Sequence, residues 1–264
     1  MTETEATEAP VTAIKPPKPL GRKGYGSTPH LVGSRVGPSD SHVHPGLAEI
    51  MTVKIRNRLD RVIVTEKLDG SCMTVARIGR WILPINRAGY LVTDSPWPMQ
   101  HVFADYVADR SKVFASILDD GERIAGEWML QAHGTRYRIA DPADLFVAFS
   151  IIGPSGRIPH DEFAARVDGV GIRRAHVISD GPAMSQAEAV AALGTYGFHS
   201  ALEQPEGAVW VLETGGEFNS IAKHVIPEKV DGKYLASIFG GEDIWNYSGD
   251  DYRAVSAPRR AAEV

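Results

Sequence analysis

Apolar residues along the chain fall into two rhythms, one of about two residues and one near 3.6, and their alternation predicts strands and helices in turn. Val62, Ile63 and Val64 form a β-branched run, and Met73, Val75 and Ile78 carry a second apolar stretch beyond Asp69 and Gly70. Two strands therefore meet at the tetrapeptide Lys67 to Gly70. Trp81 to Ile85 reads as a further strand, as do Arg123 to Leu130 and Leu145 to Ile152, the last being the most hydrophobic and expected at a sheet centre. Glu206 to Glu213 alternates and turns at Gly215 and Gly216, and Phe218 to Ile226 returns as its partner.

Helical spacing appears between Gly46 and Leu59, and more strongly between Met99 and Leu118. There Val102, Phe103, Tyr106, Val107, Val113, Phe114, Ile117 and Leu118 trace one stripe. His160 to Val167 and Ser185 to Leu193 also read as helices, the second opened by a capping box of Ser185 and Glu188, and both are expected to cover one sheet face. Strands interrupted by helices without a regular βαβ beat predict an α+β domain with mainly antiparallel sheets.

Composition narrows this picture. Of 264 residues, 43% are hydrophobic and 23% charged, which suits a packed domain rather than a disordered chain. Residues 1–24 form an exception: glutamates, then a Lys-Pro-rich stretch, predict a disordered or polyproline arm. Residues 25–238 are expected to form the packed domain, opening with a Gly-, Pro- and His-rich structured loop, and 239–264 a short C-terminal tail that frays. No apolar run is long enough to span a bilayer and the N-terminus lacks a secretory pattern, so a cytoplasmic protein is expected. A net charge of -5 argues against a basic coat for nonspecific nucleic-acid binding but leaves room for a local basic groove. The lone cysteine, Cys72, excludes an internal disulfide and reads as a small core residue. His42 and His44 share a strand face without a third ligand nearby, and Asn246 to Ser248 matches a glycosylation sequon.

Candidate chemistry begins at Lys67. A lysine beside buried strands is costly unless its charge is paired or its pKa is lowered, and desolvation with nearby cations would expose a nucleophilic lone pair. The alternative is a hairpin-turn lysine with its head in water and Asp69-Gly70 as ordinary turn chemistry. Further along, Arg87, Glu127, Phe149, Glu206 and Lys223 each lie in or beside an apolar strand. Charged residues are seldom buried without partners, so these groups are expected to converge in one cleft.

Taken in order, these residues resemble the motifs of the covalent nucleotidyltransferases, the superfamily of RNA ligases, DNA ligases and messenger-RNA capping enzymes. The run Glu66 to Ser71 resembles motif I, Gly126-Glu127 motif III, Phe146 to Ile151 motif IIIa, Glu206 to Val209 motif IV and Ala222-Lys223 motif V. The chain is most similar to the ATP-dependent RNA ligase family, over roughly Tyr25 to Leu235, with stretches that look like bacterial and phage-type members. The resemblance implies a nucleotidyltransferase adenylation domain, of the ATP-grasp-like ligase kind, over residues 25–238. It implies Lys67 as the nucleophile towards the α-phosphorus of ATP and Lys223 as the cation stabilising the transferred phosphate. Glu66, Asp69, Arg87, Glu127, Phe149, Glu206 and Lys223 would bind the nucleotide: Arg87 a ribose or phosphate oxygen, Glu127 the ribose hydroxyl, Phe149 the adenine face. Glu206 would place Mg2+.

The implied partner is RNA with 5'-phosphate and 3'-hydroxyl ends, in single strands or at a nick in a duplex, with Arg22, Lys23 and Arg35 on the backbone. Two departures qualify the likeness. Relatives often carry two lysines in motif V, whereas here Lys223 stands alone, with Lys229, Lys233 and His224 as candidates for the missing charge. The stretch after Ile226 is too short for the OB-fold of capping enzymes and most DNA ligases. The rival readings are a DNA nick ligase, a capping-type enzyme, and a silent fold that binds nucleotides or nucleic-acid ends.

Overall fold

A computed structural model describes residues 16–249. Its architecture is α+β, with two four-stranded antiparallel sheets. The first sheet has the order β6-β1-β7-β8, formed by Val177–Gly181, Asp60–Lys67, Gly207–Thr214 and Glu217–Val225. The second has the order β3-β2-β4-β5, formed by Trp81–Asn86, Ser71–Ile78, Arg123–Trp128 and Phe146–Ile152.

The β-branched run of β1 sits in the interior of the first sheet, between β6 and β7, and Val62, Ile63 and Val64 are all fully buried. Alternation splits the strand: Val62 and Val64 join Trp210, Leu212 and Ala222 in a core with Leu193 of α5 (Gln186–Leu193) and Met51 of α1 (Pro45–Thr52). The opposite face carries Thr65 and Lys67 into a cleft. In the second sheet, Met73, Val75, Ile124, Trp128 and Phe146 lie on the face that packs against α2 (Pro98–Asp109) and α3 (Ser111–Ile117). Phe103 and Tyr106 stand edge-on to Trp128, with ring centroids 5.3 and 5.2 Å away. Gly126 makes this face possible, because a Cβ there would lie 2.6 Å from the Phe146 ring. The other face turns Cys72 and Glu127 towards the cleft.

Several expectations are corrected here. β1 and β2 belong to different sheets, so Asp69 and Gly70 form a crossover and not a hairpin turn. The run Leu145 to Ile152 gives an edge strand; its hydrophobicity reflects burial against α4 (His160–Asp168) and the strand-like segment at Arg173 to Ala175, which bonds to Ala148. α4 packs on β5 and α5 on β6 and β7, so the two helices serve different sheets.

The long stripe of residues 99–118 is broken at Arg110, where φ is -109° and the backbone leaves the helix. None of the polar residues from Asp109 to Lys112 is buried, and beyond the break Phe114 stands edge-on to Phe146. The helix after Gly46 stops at Thr52 rather than continuing to Leu59, and His44 caps its start by accepting from the Gly46 N–H, 3.2 Å away.

Residues 1–15 and 250–264 lie outside the described part. Within it, the expected fraying after Gly240 is not seen up to residue 249. Asn246 is buried, accepts from the Tyr137 N–H at 2.8 Å and donates to the Met129 carbonyl at 2.8 Å, which leaves this sequon asparagine no room for a glycan. Gly24 is buried against the end of β3, inside the stretch expected to be an arm. Among the described residues, no helix is long and apolar enough to cross a membrane.

Candidate active site

Strand register builds the site. Lys67 pairs with Gly207, and Thr65 pairs with Val209, which pairs in turn with Lys223. Both lysines therefore project from one face of three neighbouring strands. Glu206 immediately precedes β7, and its carbonyl is fixed by the Ile226 N–H at 3.0 Å. Gly207 allows this junction: φ is +150° and a Cβ would fall 1.9 Å from the His224 carbonyl oxygen. From the second sheet come Cys72, Glu127 and Phe149, and from the end of β3 Arg87. Together they line a cavity of about 340 Å³ whose apolar wall includes Val209, Val211 and Ile221, a size within the small-ligand range.

Lys67 Nζ lies 2.5 Å from Glu206 Oε2, and the two side chains are 20% and 9% exposed. Burial alone would pull the Lys67 pKa down, but the carboxylates of Glu206, Glu127 and Asp69 outweigh it and raise the pKa above the ordinary lysine value. The expected free amine, favoured by neighbouring cations, is thus reversed: Lys67 rests as an ammonium in an ion pair. Burial lowers the pKa of Lys223, and the positive charge of Lys67 lowers it further, with Asp40 and Glu206 opposing.

The crossover is held from both sides. Asp69 Oδ2 accepts from the Gly134 N–H at 2.8 Å and lies 2.6 Å from Lys229 Nζ. Gly70 donates its N–H to Glu127 Oε1 at 3.1 Å, and a Cβ at Gly70 would lie 2.6 Å from the Trp128 carbonyl. Of the three candidates for the missing motif V charge, Lys229 reaches the crossover. Lys233 is paired with Glu203, and His224 lies within 3.4 Å of Gln186, away from the cleft.

Glu127 has its carboxyl pushed up to about 7, first by burial and then by Glu206 and Asp69, against the lowering effect of Lys67. Its proton is therefore retained in the fold at pH values where an unfolded glutamate, near 4.5, has lost it. Stability is expected to fall as pH rises from about 4.5 to about 7, by at most about 3 kcal/mol for this group. Chemical denaturation of wild type and Glu127→Gln at pH 5 and pH 8 tests this. The variant should lose that part of the decline, and an identical decline in both proteins would contradict it.

The remaining expected residues divide. Phe149 and Arg87 line the cavity, with Arg87 exposed at its mouth and its guanidinium 3.4 Å from the Gly26 carbonyl. Glu66 borders the cleft, but its carboxylate is engaged elsewhere, accepting from the Phe198 N–H at 2.9 Å and lying 2.9 Å from His199 Nδ1. Cys72 also borders the cleft, half-buried, where burial and then Glu127 push its thiol pKa up and keep it protonated. Arg35 is paired with Asp231 at 2.6 Å, while Arg22 and Lys23 are exposed. Among the described residues, no group of three His, Cys, Asp or Glu side chains is arranged to hold a metal ion.

Sequence reading gave no site role to Tyr25, Thr28, Arg157, His160 and Phe163, which also line the cavity. Tyr25 and Thr28 fall in a Gly-rich loop, and Arg157 follows a turn, so no periodicity marks them.

Lys67, Glu206 and Lys223, on or beside strands of one sheet, thus face Glu127 and Phe149 on the other across a single cleft. Residues 60–225 match the family model described as RNA ligase, well over half of the chain, and the chain belongs to that family. No curated protein matches it. Among solved structures, the chain is similar to an archaeal ATP-dependent RNA ligase at 22% identity and a TM-score of 0.46, covering 63% of this chain and 43% of that one. It is similar to a Naegleria gruberi RNA ligase with PPi at 16% identity and a TM-score of 0.49, covering 83% and 61%. A mutant of the Naegleria gruberi ligase with ATP and Mn matches at 18% identity and a TM-score of 0.48, over 77% and 60%. The matched part thus spans less than two thirds of each of these chains.

Proposed function

We propose that the chain is an ATP-dependent RNA ligase that joins 5'-phosphate and 3'-hydroxyl ends through a lysyl-AMP intermediate, with residues 25–238 as the adenylation domain. The observation that carries this reading is the Lys67–Glu206 pair at 2.5 Å, at the floor of a cleft shared with Glu127, Phe149 and Lys223.

In the first step the Lys67 Nζ lone pair forms a bond to the α-phosphorus of ATP while the bond from that phosphorus to the bridging oxygen breaks, and pyrophosphate leaves with the electron pair. The ammonium must first shed a proton, and Glu206 Oε2 is an acceptor already in contact. Lys223, on the same sheet face, stabilises charge on the phosphoryl oxygens. Phe149 offers a face to the base, Glu127 accepts from the ribose and Arg87 binds at the mouth, where its forked donors suit phosphate or ribose oxygens. Asp69, tied to Lys229 and Gly134, holds the turn that presents Lys67. Glu66, expected as a nucleotide contact, fits better as a wall residue tied to His199.

In the second step the RNA 5'-phosphate takes the adenylyl group from Lys67, breaking the phosphorus-nitrogen bond. In the third, the 3'-hydroxyl oxygen attacks that phosphate and AMP leaves. The donors facing the cleft are carboxylate oxygens, which fit Mg2+, an ion that takes one or two carboxylates and completes its shell with water and phosphate oxygens. Glu206 would hold it, and when bound it would neutralise charge at the α-phosphate.

The testing experiment pairs two comparisons. With ATP and Mg2+, the protein should seal RNA bearing 5'-phosphate and 3'-hydroxyl ends but not RNA bearing a 5'-hydroxyl, and GTP should not replace ATP. Sealing of DNA nicks in preference to RNA, or use of GTP, would shift the reading to a DNA ligase or a capping-type enzyme.

A further inference from the structure

The segment before Asp60 lies outside the family match, yet it is fastened across the cleft at two points. At one end, Arg123 Nε donates to the Gly24 carbonyl at 2.7 Å and the Tyr25 N–H donates to the Arg87 carbonyl at 3.2 Å. A Cβ on Gly24 would sit 2.5 Å from the Asn86 carbonyl, so the chain passes too close for any other residue. At the other end the segment adds to the free edge of β8 around Lys223 itself. The Lys223 N–H donates to the Pro29 carbonyl at 2.9 Å, and the Leu31 N–H to the Lys223 carbonyl at 2.8 Å. Leu31 and Val43 are buried in the core of the first sheet. Between the fastenings, Tyr25 and Thr28 face the cavity.

Tyr25 meets Phe149 edge to face, with ring centroids 5.0 Å apart and planes at 71°. Arg157 Nη2 donates to the Tyr25 hydroxyl at 2.8 Å, and its guanidinium lies over the Tyr25 and Phe218 rings at 5.4 and 5.0 Å. The Phe149 ring is thus fixed in plane by a second aromatic, itself clamped by a cation. A purine entering between Phe149 and the wall of Val209, Val211 and Ile221 would have Tyr25 at its rim. The bond that the Tyr25 hydroxyl accepts from Arg157 fixes the orientation of the ring.

Resting on the adenylation reading above, we propose that Tyr25 is a nucleotide-binding residue that closes the base end of the cavity, with Arg157 as its positioning residue. The segment outside the family match then belongs to the active site. Its contribution is to ground-state grip on the nucleotide, since Tyr25 is at the base and not at the phosphorus. Aromatic contacts to a base contribute about 1–3 kcal/mol, equivalent to roughly 5- to 150-fold in affinity.

The test measures ATP binding by calorimetry in full-length protein carrying Lys67→Arg, which cannot be adenylylated. Tyr25→Ala and Tyr25→Leu should each raise the ATP Kd by about tenfold or more. Tyr25→Phe should stay within about threefold, because the ring is kept, and Arg157→Met should fall between. In protein with Lys67 intact, Tyr25→Leu should raise KM for ATP and leave kcat within about threefold. A Kd for Tyr25→Leu within twofold of its parent would overturn the proposal. So would a loss confined to kcat or to Tm. If the parent itself binds no ATP and wild type takes up no AMP, the adenylation reading has failed instead, and the two failures are distinguishable.

Discussion

Lys67→Ala is expected to take up no AMP from α-labelled ATP, a loss of at least about 10⁴-fold in the rate of covalent labelling. Other amines near the cleft are not substitutes: Lys229 is tied to Asp69, and Lys223 lies two strands away from Lys67 across the sheet. Alanine also strands the buried Glu206 without its cation, at a stability cost on the order of 2 kcal/mol. That second effect would confuse the result, and Lys67→Arg separates the two. A guanidinium keeps the charge beside Glu206 and cannot be deprotonated to attack phosphorus. Lys67→Arg should therefore retain most of the stability and none of the labelling, as read by thermal denaturation and by gel.

Glu206→Gln carries the second large effect, and two consequences oppose each other within it. Removing the carboxylate takes away the strongest opposite charge beside Lys67, so the lysine pKa falls and more free amine is present at neutral pH. Taken alone, this would speed the attack. The same change removes the proton acceptor at 2.5 Å and the carboxylate assigned to Mg2+. The second consequence is expected to win, with single-turnover labelling slowed by about 100-fold or more. The first should still be visible, as a shift of the residual activity's rising limb to lower pH. An unchanged or faster rate at pH 7 would reassign Glu206 as a resting partner of Lys67 with no part in the transfer.

Why sequence located these groups but not their states follows from what each signal depends on. A charge inside an apolar strand is visible in the chain, and Lys67, Glu127, Glu206 and Lys223 were all legible on that ground. Which charge meets which is set by register between distant strands. Lys67 and Glu206 are 139 residues apart, and their contact follows from Lys67 pairing with Gly207. The sign of the Lys67 pKa shift depends on that contact, so reading burial and cations alone gave the opposite sign. Likewise, the pattern around Asp69 and Gly70 marks a sharp turn without saying that the strands on either side enter different sheets. The high hydrophobicity of Phe146 to Ile152 reports two covered faces, which an edge strand under a helix has as fully as a central one. The roles of Tyr25 and Arg157 were not legible, because a loop residue's role depends on what the loop passes over.

The central claim is that Lys67 Nζ forms a phosphoramidate with AMP, and the most direct measurement is to locate the adduct. Wild-type protein incubated with ATP and Mg2+, digested, and analysed by mass spectrometry should show one adenylylated peptide, containing Lys67. The modification should vanish in acid, which cleaves a phosphorus-nitrogen bond, and should be discharged by pyrophosphate. An adenylyl group found on a different residue, or no covalent AMP in a protein that nonetheless seals RNA, would contradict the account.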